Sequence, residues 1–304
     1  MASMVRPPVS GLTAVFLSLW LAGSLPAASG EAAAPARIDK DIKLVVPAGQ
    51  VEPVRAYISE RYRDAGVLRR FGGPGASQES ASEDFTDVYY DTPGLALLDK
   101  DVEVRHRRRY TGEDVRYKVK EWVQVKVPTP ETGAPQEIKY KVKNRVAGEV
   151  APYGSEPVYP FLAMLKSADR GAASAAFPAL LGVAPADLVP VVVVRQHRDR
   201  VYIQDPEGPV FTVSVDRVTA RKLWARVDFC EVEIEINELR YARRSSAAEN
   251  IRLARLQREI ADDLLGRFPA LRLEQAPRYQ KVYRGLETRL RPLPLRPLLR
   301  LGVR

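Results

Sequence analysis

The sequence predicts an α+β chain whose strands carry ionisable rows on one face and β-branched or aliphatic rows on the other, with helices packed outside. Three observations lead to it. The segment Cys230 to Ile236, CEVEIEI, alternates Glu231, Glu233 and Glu235 with Val232, Ile234 and Ile236, the period of 2 that belongs to a strand with one apolar face. Further segments repeat the pattern: Asp39, Asp41 and Lys43 alternate with Lys40, Ile42 and Leu44; VEVRHRRRY aligns Glu103, Arg105, Arg107 and Arg109; WVQVKV aligns Trp122, Gln124 and Lys126. Finally, SSAAENIRLARLQREIADDLLGRF has the spacing of a long amphipathic helix, with Ile251, Leu256, Ile260 and Leu264 expected against the sheet.

Like charges at alternate positions of one strand repel, so the row Glu231, Glu233, Glu235 calls for something cationic over it. A divalent metal or a set of Lys and Arg side chains would serve; a solvated strand face is the alternative. If the rows of several strands face the inside of one closed sheet, acids and bases share a cavity, an arrangement suited to a metal ion bridging the protein to a polyanion.

Taken in order, the chain opens with Arg6, an uninterrupted apolar run from Gly11 to Ala22 and small residues in SLPAASGEAAAPA, the order of a secretory signal peptide removed near Ala28 to Ala34. The run is too short for a permanent span, so residues 1–34 are taken as signal and the protein as exported, periplasmic or extracellular. Val51 to Tyr62 has helical spacing, and Gly66 to Ser82 is rich enough in Gly and Ser to read as a flexible loop over a cavity mouth. Phe85 to Val127 reads as strands joined by the turn-rich DTPGLALLDK. QEIKYKVKNRV is a further strand, whose Lys139 and Lys141 either make the cavity more basic or mark a solvated edge. Helices follow around FLAMLKSAD and AAFPALLG. VPVVVVRQHRDRVYIQ then forms a buried strand running into Arg195, Arg198 and Arg200, and VFTVSVDRV alternates Val213 and Val215 with Thr212, Ser214 and Asp216. Residues 287–304, rich in Pro, Leu and Arg, are expected to be a disordered basic tail.

These segments resemble the CYTH family of the triphosphate tunnel metalloenzymes, named after class IV adenylate cyclase and thiamine triphosphatase. The family's opening ExExK strand is similar to Asp39-Lys40-Asp41-Ile42-Lys43, with Asp in place of both Glu. Its YYDTP segment and following LRxRR are similar to Val88 through Arg108, and its closing ExExE strand to Glu231 through Glu235. The resemblance spans roughly residues 38 to 286 and implies an antiparallel eight-stranded β-barrel or tunnel wrapped by helices, one domain over residues 35–286. It implies Mg²⁺ or Mn²⁺ held by Asp39, Asp41, Asp216, Glu231, Glu233 and Glu235, with Glu233, Glu235 and Lys43 as the catalytic set. Lys43, Arg105, Arg107, Lys126, Arg195 and Arg198 would bind phosphate, with Lys139 and Lys141 as close competitors.

Composition agrees with an anionic ligand. Forty-seven Lys and Arg against 38 Asp and Glu give a formal charge of +9, suited to nucleic acid, a membrane surface or a phosphate-rich substrate; the resemblance selects a triphosphate- or polyphosphate-like small anion, with no nucleic acid and no membrane span after signal removal. No G-x-x-x-x-G-K-[ST] occurs. The two histidines, His106 and His197, lie in Arg-rich strands rather than in a hydrolase signature, and one cysteine, Cys230, allows neither a disulfide within the chain nor a zinc cluster. The expected activity is metal-dependent cleavage of a phosphoanhydride in inorganic triphosphate, short polyphosphate or an organic triphosphate. A non-catalytic polyphosphate- or anion-binding module and a polyphosphate polymerase-like domain are the alternatives.

Overall fold

Alternation becomes architecture in the computed structural model, which describes residues 37–38, 40–111, 118–129, 135–143, 158–237 and 246–290. Ten strands form one sheet: β1 (Arg37–Ile38), β2 (Asp41–Val46), β3 (Ser77–Asp91), β4 (Glu103–Thr111), β5 (Lys118–Val127), β6 (Gln136–Lys141), β7 (Val189–Asp205), β8 (Gly208–Lys222), β9 (Ala225–Ile236) and β10 (Arg272–Glu274). Their order is β1-β6-β5-β4-β3-β7-β8-β9-β2-β10, every pair antiparallel. Eight of them are the strands expected from sequence; β1 and β10, two and three residues long, extend the two ends. β2 and β6 stand far apart in this order, yet Lys43 from one and Lys139 from the other line a single cavity. The sheet is therefore curled into a tunnel. Its ladder of hydrogen bonds runs from β1 to β10 and does not close on itself among the described residues.

Among the described residues the helices are α1 (Val51–Arg61), α2 (Ala65–Gly72), α3 (Phe161–Met164), α4 (Ser167–Leu181), α5 (Ala247–Arg267) and α6 (Arg278–Leu290); the first five cover the outside of the sheet. Each apolar strand face meets a helix face. Val232 and Ile234 of β9 and Val213 and Val215 of β8, all at most 1 % exposed, pack in one cluster with Val54, Phe71, Leu256, Ile260 and Leu264. Val104, Val123, Val125 and Tyr140 pack with Phe161 and Phe177. Val218, Ala220 and Val227, in phase with Asp216 and Glu231, pack on the inward face with Tyr279, Val282 and Leu286 of α6. Burying aliphatic side chains of this size contributes about 1.5–3 kcal/mol each. Two apolar clusters thus lie between the sheet and the outer helices, and the third fills one end of the inner face, leaving the rest of that face to be charged.

Two expectations change. Gly66 to Ser82 is not a loop. Asp64 caps α2 by accepting from the Val67 amide at 2.9 Å, Val67, Leu68 and Phe71 are buried, and Ser77 to Ser82 already pair with β7. The glycines serve the junction: a Cβ on Gly72 would meet Ala76 Cβ at 2.7 Å, and Gly73 has φ 84°, a left-handed conformation that suits glycine. Ile251 is exposed at 71 %, and Leu253 is the buried residue of that turn, because Ile251 lies about half a turn out of phase with Ile260. The C-terminal boundary also moves. α6 continues to Leu290, which is 1 % exposed, so four residues assigned to the tail belong to the domain; the rest of the tail and the signal segment lie outside the described residues.

Candidate active site: a charged tunnel

The inward faces of β2, β4, β5, β6, β7 and β9 meet around a cavity of about 240 Å³. Its lining among the described residues includes nine lysines and arginines against four glutamates, Glu103, Glu137, Glu233 and Glu235. Strand parity places them. Asp41 stands opposite Glu235 and Lys43 opposite Glu233 in the β2–β9 register, and Asp216 stands opposite Glu231 in the β8–β9 register.

What sits over the glutamate row is a set of cations from three elements. Arg198 of β7 forks onto Asp216, with Nε 2.6 Å from Oδ1 and Nη2 2.5 Å from Oδ2, and also contacts Glu233. Arg278, on the first turn of α6, donates from Nε to Glu231 at 2.8 Å, from Nη2 to Asp216 at 2.7 Å and from Nη1 to Gln196 at 2.7 Å. Lys281, three residues on, reaches the other Glu231 oxygen at 3.0 Å. Lys43 lies 2.7 Å from Asp41 and 3.5 Å from Glu233. Burial by itself would raise the pKa of Glu231, but Arg278, Lys281 and Lys43 outweigh it and hold the carboxyl at about 2. Glu233 is likewise penalised by burial and held well below the usual range by Arg198, Lys43 and Arg278.

A second cluster lies across the tunnel. Asp87 of β3, fully buried, receives Arg107 through Nε at 2.6 Å and Nη2 at 2.5 Å and Arg105 at 3.3 Å. Burial opposes its charge, but these guanidiniums bring its pKa down to about 2. Arg107 also lies over the Phe85 ring at 4.6 Å. Arg105 donates to Gln124 at 2.8 and 3.0 Å, and Gln124 passes the chain of bonds to Glu137, which pairs with Lys139 at 2.5 Å.

The DTP segment is a brace. Asp91 accepts from the amides of Thr92, Leu97 and Leu98 at 2.7–3.0 Å and from the Tyr279 hydroxyl at 3.0 Å. The Tyr279 amide donates to Glu103 at 3.0 Å, and its ring stacks on Tyr89 at 5.1 Å. One buried carboxylate thereby ties the loop after β3 to the start of α6 and sets where Arg278 points.

Of the residues selected from sequence, Asp41, Lys43, Arg105, Arg107, Lys126, Arg198, Glu231, Glu233, Glu235 and Asp216 share this inward face. Asp39 lies outside the residues whose side chains are described. Arg195 does not join them. Gln196 and Arg198 point inward, so Arg195, one residue before Gln196, is on the outer face by strand alternation, which removes it from the phosphate-binding set. Lys139 lines the cavity, whereas Lys141 is exposed. Sequence reasoning missed Arg278, Lys281, Asp87 and Gln196. Asp87 had a signal, being in phase with Tyr89 and Asp91, and α6 had one in the spacing of Tyr279, Val282, Tyr283, Leu286 and Leu290.

On the outer face, Ser82, His197 and Asp84 stand in triad order, with Ser82 Oγ 3.3 Å from Nε2 and Asp84 2.9 Å from Nδ1. This is no hydrolase site. The Ser82 hydroxyl donates to Asp199 at 2.7 Å, and the hydrogen bonds of Asp199 and Asp84 push His197 up to about 9, leaving a protonated imidazole without a lone pair to act as base.

A divalent cation would find hard oxygen donors in Asp41, Glu233 and Glu235, at the end of the row where Glu235 is 31 % exposed, and that donor chemistry fits Mg²⁺ or Mn²⁺. Asp216 and Glu231 lie deeper, 0 % and 1 % exposed, with Arg198, Arg278 and Lys281 on their oxygens, so they are less accessible to a cation than the outer three. Among the described residues no three His, Cys, Asp or Glu side chains stand ready as a metal cluster, so a cation has to displace Lys43 and Arg198 from the outer three.

Fold and site together define an antiparallel β-tunnel with an ion-paired interior. The CYTH domain model matches residues 75–265. The chain belongs to the CYTH domain family, whose tunnel enzymes generally depend on divalent metal. Solved structures similar to it include the PH1819 protein of Pyrococcus horikoshii OT3, at 14 % identity over 83 % of this chain and 99 % of that one, TM-score 0.44. HpAC1 from Hippeastrum, described as revealing a dominant triphosphatase activity, is 14 % identical over 84 % and 98 %, TM-score 0.41. The Pct1 RNA triphosphatase of S. pombe is 11 % identical over 77 % and 85 %, TM-score 0.38. No curated protein matches the chain.

Proposed function

We propose that the protein is an exported hydrolase that cleaves a phosphoanhydride bond of a short anion, inorganic triphosphate or short polyphosphate before an organic triphosphate. The observation that carries this is the convergence of nine lysines and arginines on one cavity of about 240 Å³, with Asp87, Asp216 and Glu231 behind the lining holding the arginines in place. A compact polyanion is the ligand that so many convergent guanidinium and ammonium donors suit.

A second cavity supports the short substrate. It shares Lys43, Glu103 and Lys126 with the first, but its wall adds Asp41, Asp101 and Glu274 against Arg258. The cationic lining therefore ends there, and a long polyphosphate would run into carboxylates. In this reading Arg105, Arg107, Lys126 and Arg198 would bind phosphate oxygens, and Lys43 would neutralise charge on the transferred phosphoryl group. Asp41, Glu233 and Glu235 would hold Mg²⁺ or Mn²⁺, which supplies polarisation of phosphate oxygens and a more acidic water.

The test is release of orthophosphate from triphosphate, polyphosphate and ATP, each with Mg²⁺ and with Mn²⁺. We expect the highest kcat/KM with triphosphate; no release from any of the three defeats the hydrolase reading. Binding without turnover would favour the second reading, an anion-binding module, which the ready pairing of the carboxylates with arginine and lysine supports. Export rests on the order of Arg6, apolar run and small residues. Residues 1–38 fused to a reporter active only outside the cytoplasm should give signal, and a silent, unprocessed fusion would refute it.

A further inference from the structure

β8 and β9 are joined by a two-residue connection: Lys222 pairs with Ala225, leaving Leu223 and Trp224 as the whole turn. Turns of this length place Gly, Asn or Asp where φ is positive. Here Leu223 takes φ 51°, a left-handed conformation that crowds a leucine Cβ. Both side chains face solvent, Leu223 exposed at 60 % and Trp224 at 63 %. Neither turn propensity nor packing accounts for a strained leucine beside an exposed tryptophan, and such residues persist where something outside the fold uses them.

The surroundings decide what kind of partner fits. Arg221 and Arg226 face each other across the ladder at the base of the turn, and both are exposed; Arg226 also pairs with Asp228 at 2.6 Å. Behind the turn, Leu290 at the end of α6 belongs to the same apolar cluster as Ala225 and Val227. Gly285 fits so closely there that a Cβ would meet Val227 at 2.9 Å. In the sequence, residues 291–304, which follow Leu290, contain four arginines, five leucines and no Asp or Glu. A leucine and an indole rimmed by guanidiniums match an anionic lipid surface. The acyl boundary accepts the apolar parts, the indole N–H stays at headgroup level, and arginine binds lipid phosphate. A specific protein interface buries about 800 Å² on each partner, more than two turn residues provide.

We propose that the Leu223–Trp224 turn is a wedge that docks the protein peripherally on an anionic lipid bilayer. This goes beyond the hydrolase reading and does not depend on it. No described helix is long and apolar enough to cross a membrane, and a wedge of two side chains gives reversible attachment.

The test uses purified protein and vesicles of phosphatidylcholine with or without phosphatidylglycerol, read by co-sedimentation and by quenching of tryptophan emission with brominated lipid. The comparison is the double variant Leu223→Asn, Trp224→Ser, whose residues suit a turn better than the native pair, so its melting temperature should be unchanged or higher. We expect wild type to bind anionic vesicles at least ten-fold more tightly than neutral ones, with quenching, and the variant to lose at least ten-fold in binding. Absence of vesicle binding, equal binding to neutral vesicles, or full binding by the variant would overturn the proposal, the last by placing attachment in the tail alone. A wild-type dimer that the variant disperses, without vesicle binding, would assign the turn to a second copy of this chain and would overturn it as well.

Discussion

Arg278→Ala should lower the stability of the protein by about 3–5 kcal/mol, the range for removing one partner of a buried ion pair and leaving the other charged. Arg278 is 5 % exposed and holds Glu231, Asp216 and Gln196 at once. Without it, Asp216 keeps Arg198 and Glu231 keeps Lys281, but Glu231 loses the guanidinium that does most to offset its burial. The loss should appear as a lower urea midpoint at unchanged m-value. Arg278→Lys should recover only part of it, since an ammonium cannot fork between two acids. An alanine variant as stable as wild type would mean that this arginine does not hold the acid row together.

Glu235→Gln should do the reverse, sparing the fold and removing activity. Its side chain is 31 % exposed, and its ion pair to Arg198 is 3.5 Å long, a partly solvated contact whose loss should change stability by less than about 1 kcal/mol. Orthophosphate release should fall on the order of 10²-fold, the scale of losing a group that stabilises developing charge. The rise in melting temperature that Mg²⁺ or Mn²⁺ gives the wild type by binding the folded state should shrink with it. Undiminished turnover and an undiminished metal shift would remove Glu235 from the catalytic set. Glu233→Gln is no substitute for this test. The repulsion within CEVEIEI suggests that neutralising Glu233 would relieve strain, but Arg198, Lys43 and Arg278 already balance it, so its loss would leave buried cations unmatched.

The strands were legible because alternation in β2, β4, β5, β8 and β9 is unbroken and a one-residue slip would turn every charge into the apolar layer. That same parity was enough to separate Arg195 from Arg198, three residues apart and hence on opposite faces. The tunnel acids could be read from one strand, because same-face neighbours in a strand are fixed by spacing alone. Their partners could not. Arg278 arrives from a helix more than 40 residues downstream of Glu231, and its direction is fixed by the Asp91–Tyr279 hydrogen bond and the Tyr89–Tyr279 stack, contacts that no local pattern encodes. α2 was hidden by the glycines that follow it, and α6 by arginines that look like a solvated tail until the spacing of its buried face is counted.

A closed barrel has its bore dictated by strand number and shear. Among the described residues this sheet stops at β1 on one side and β10 on the other, and Asp41, Lys43, Leu273 and Glu274 from the β10 side share a cavity with Lys126, Thr129 and Pro135 from the β6 side. Among these residues the two margins therefore face each other across a slot lined by side chains. A pipe slit along its length takes its width from whatever bridges the slit, whereas the wall opposite is fixed by the long ladders of β3, β7, β8 and β9. The bore of this tunnel is therefore expected to answer to the side chains that line the slot, Lys126 and Glu274 among them.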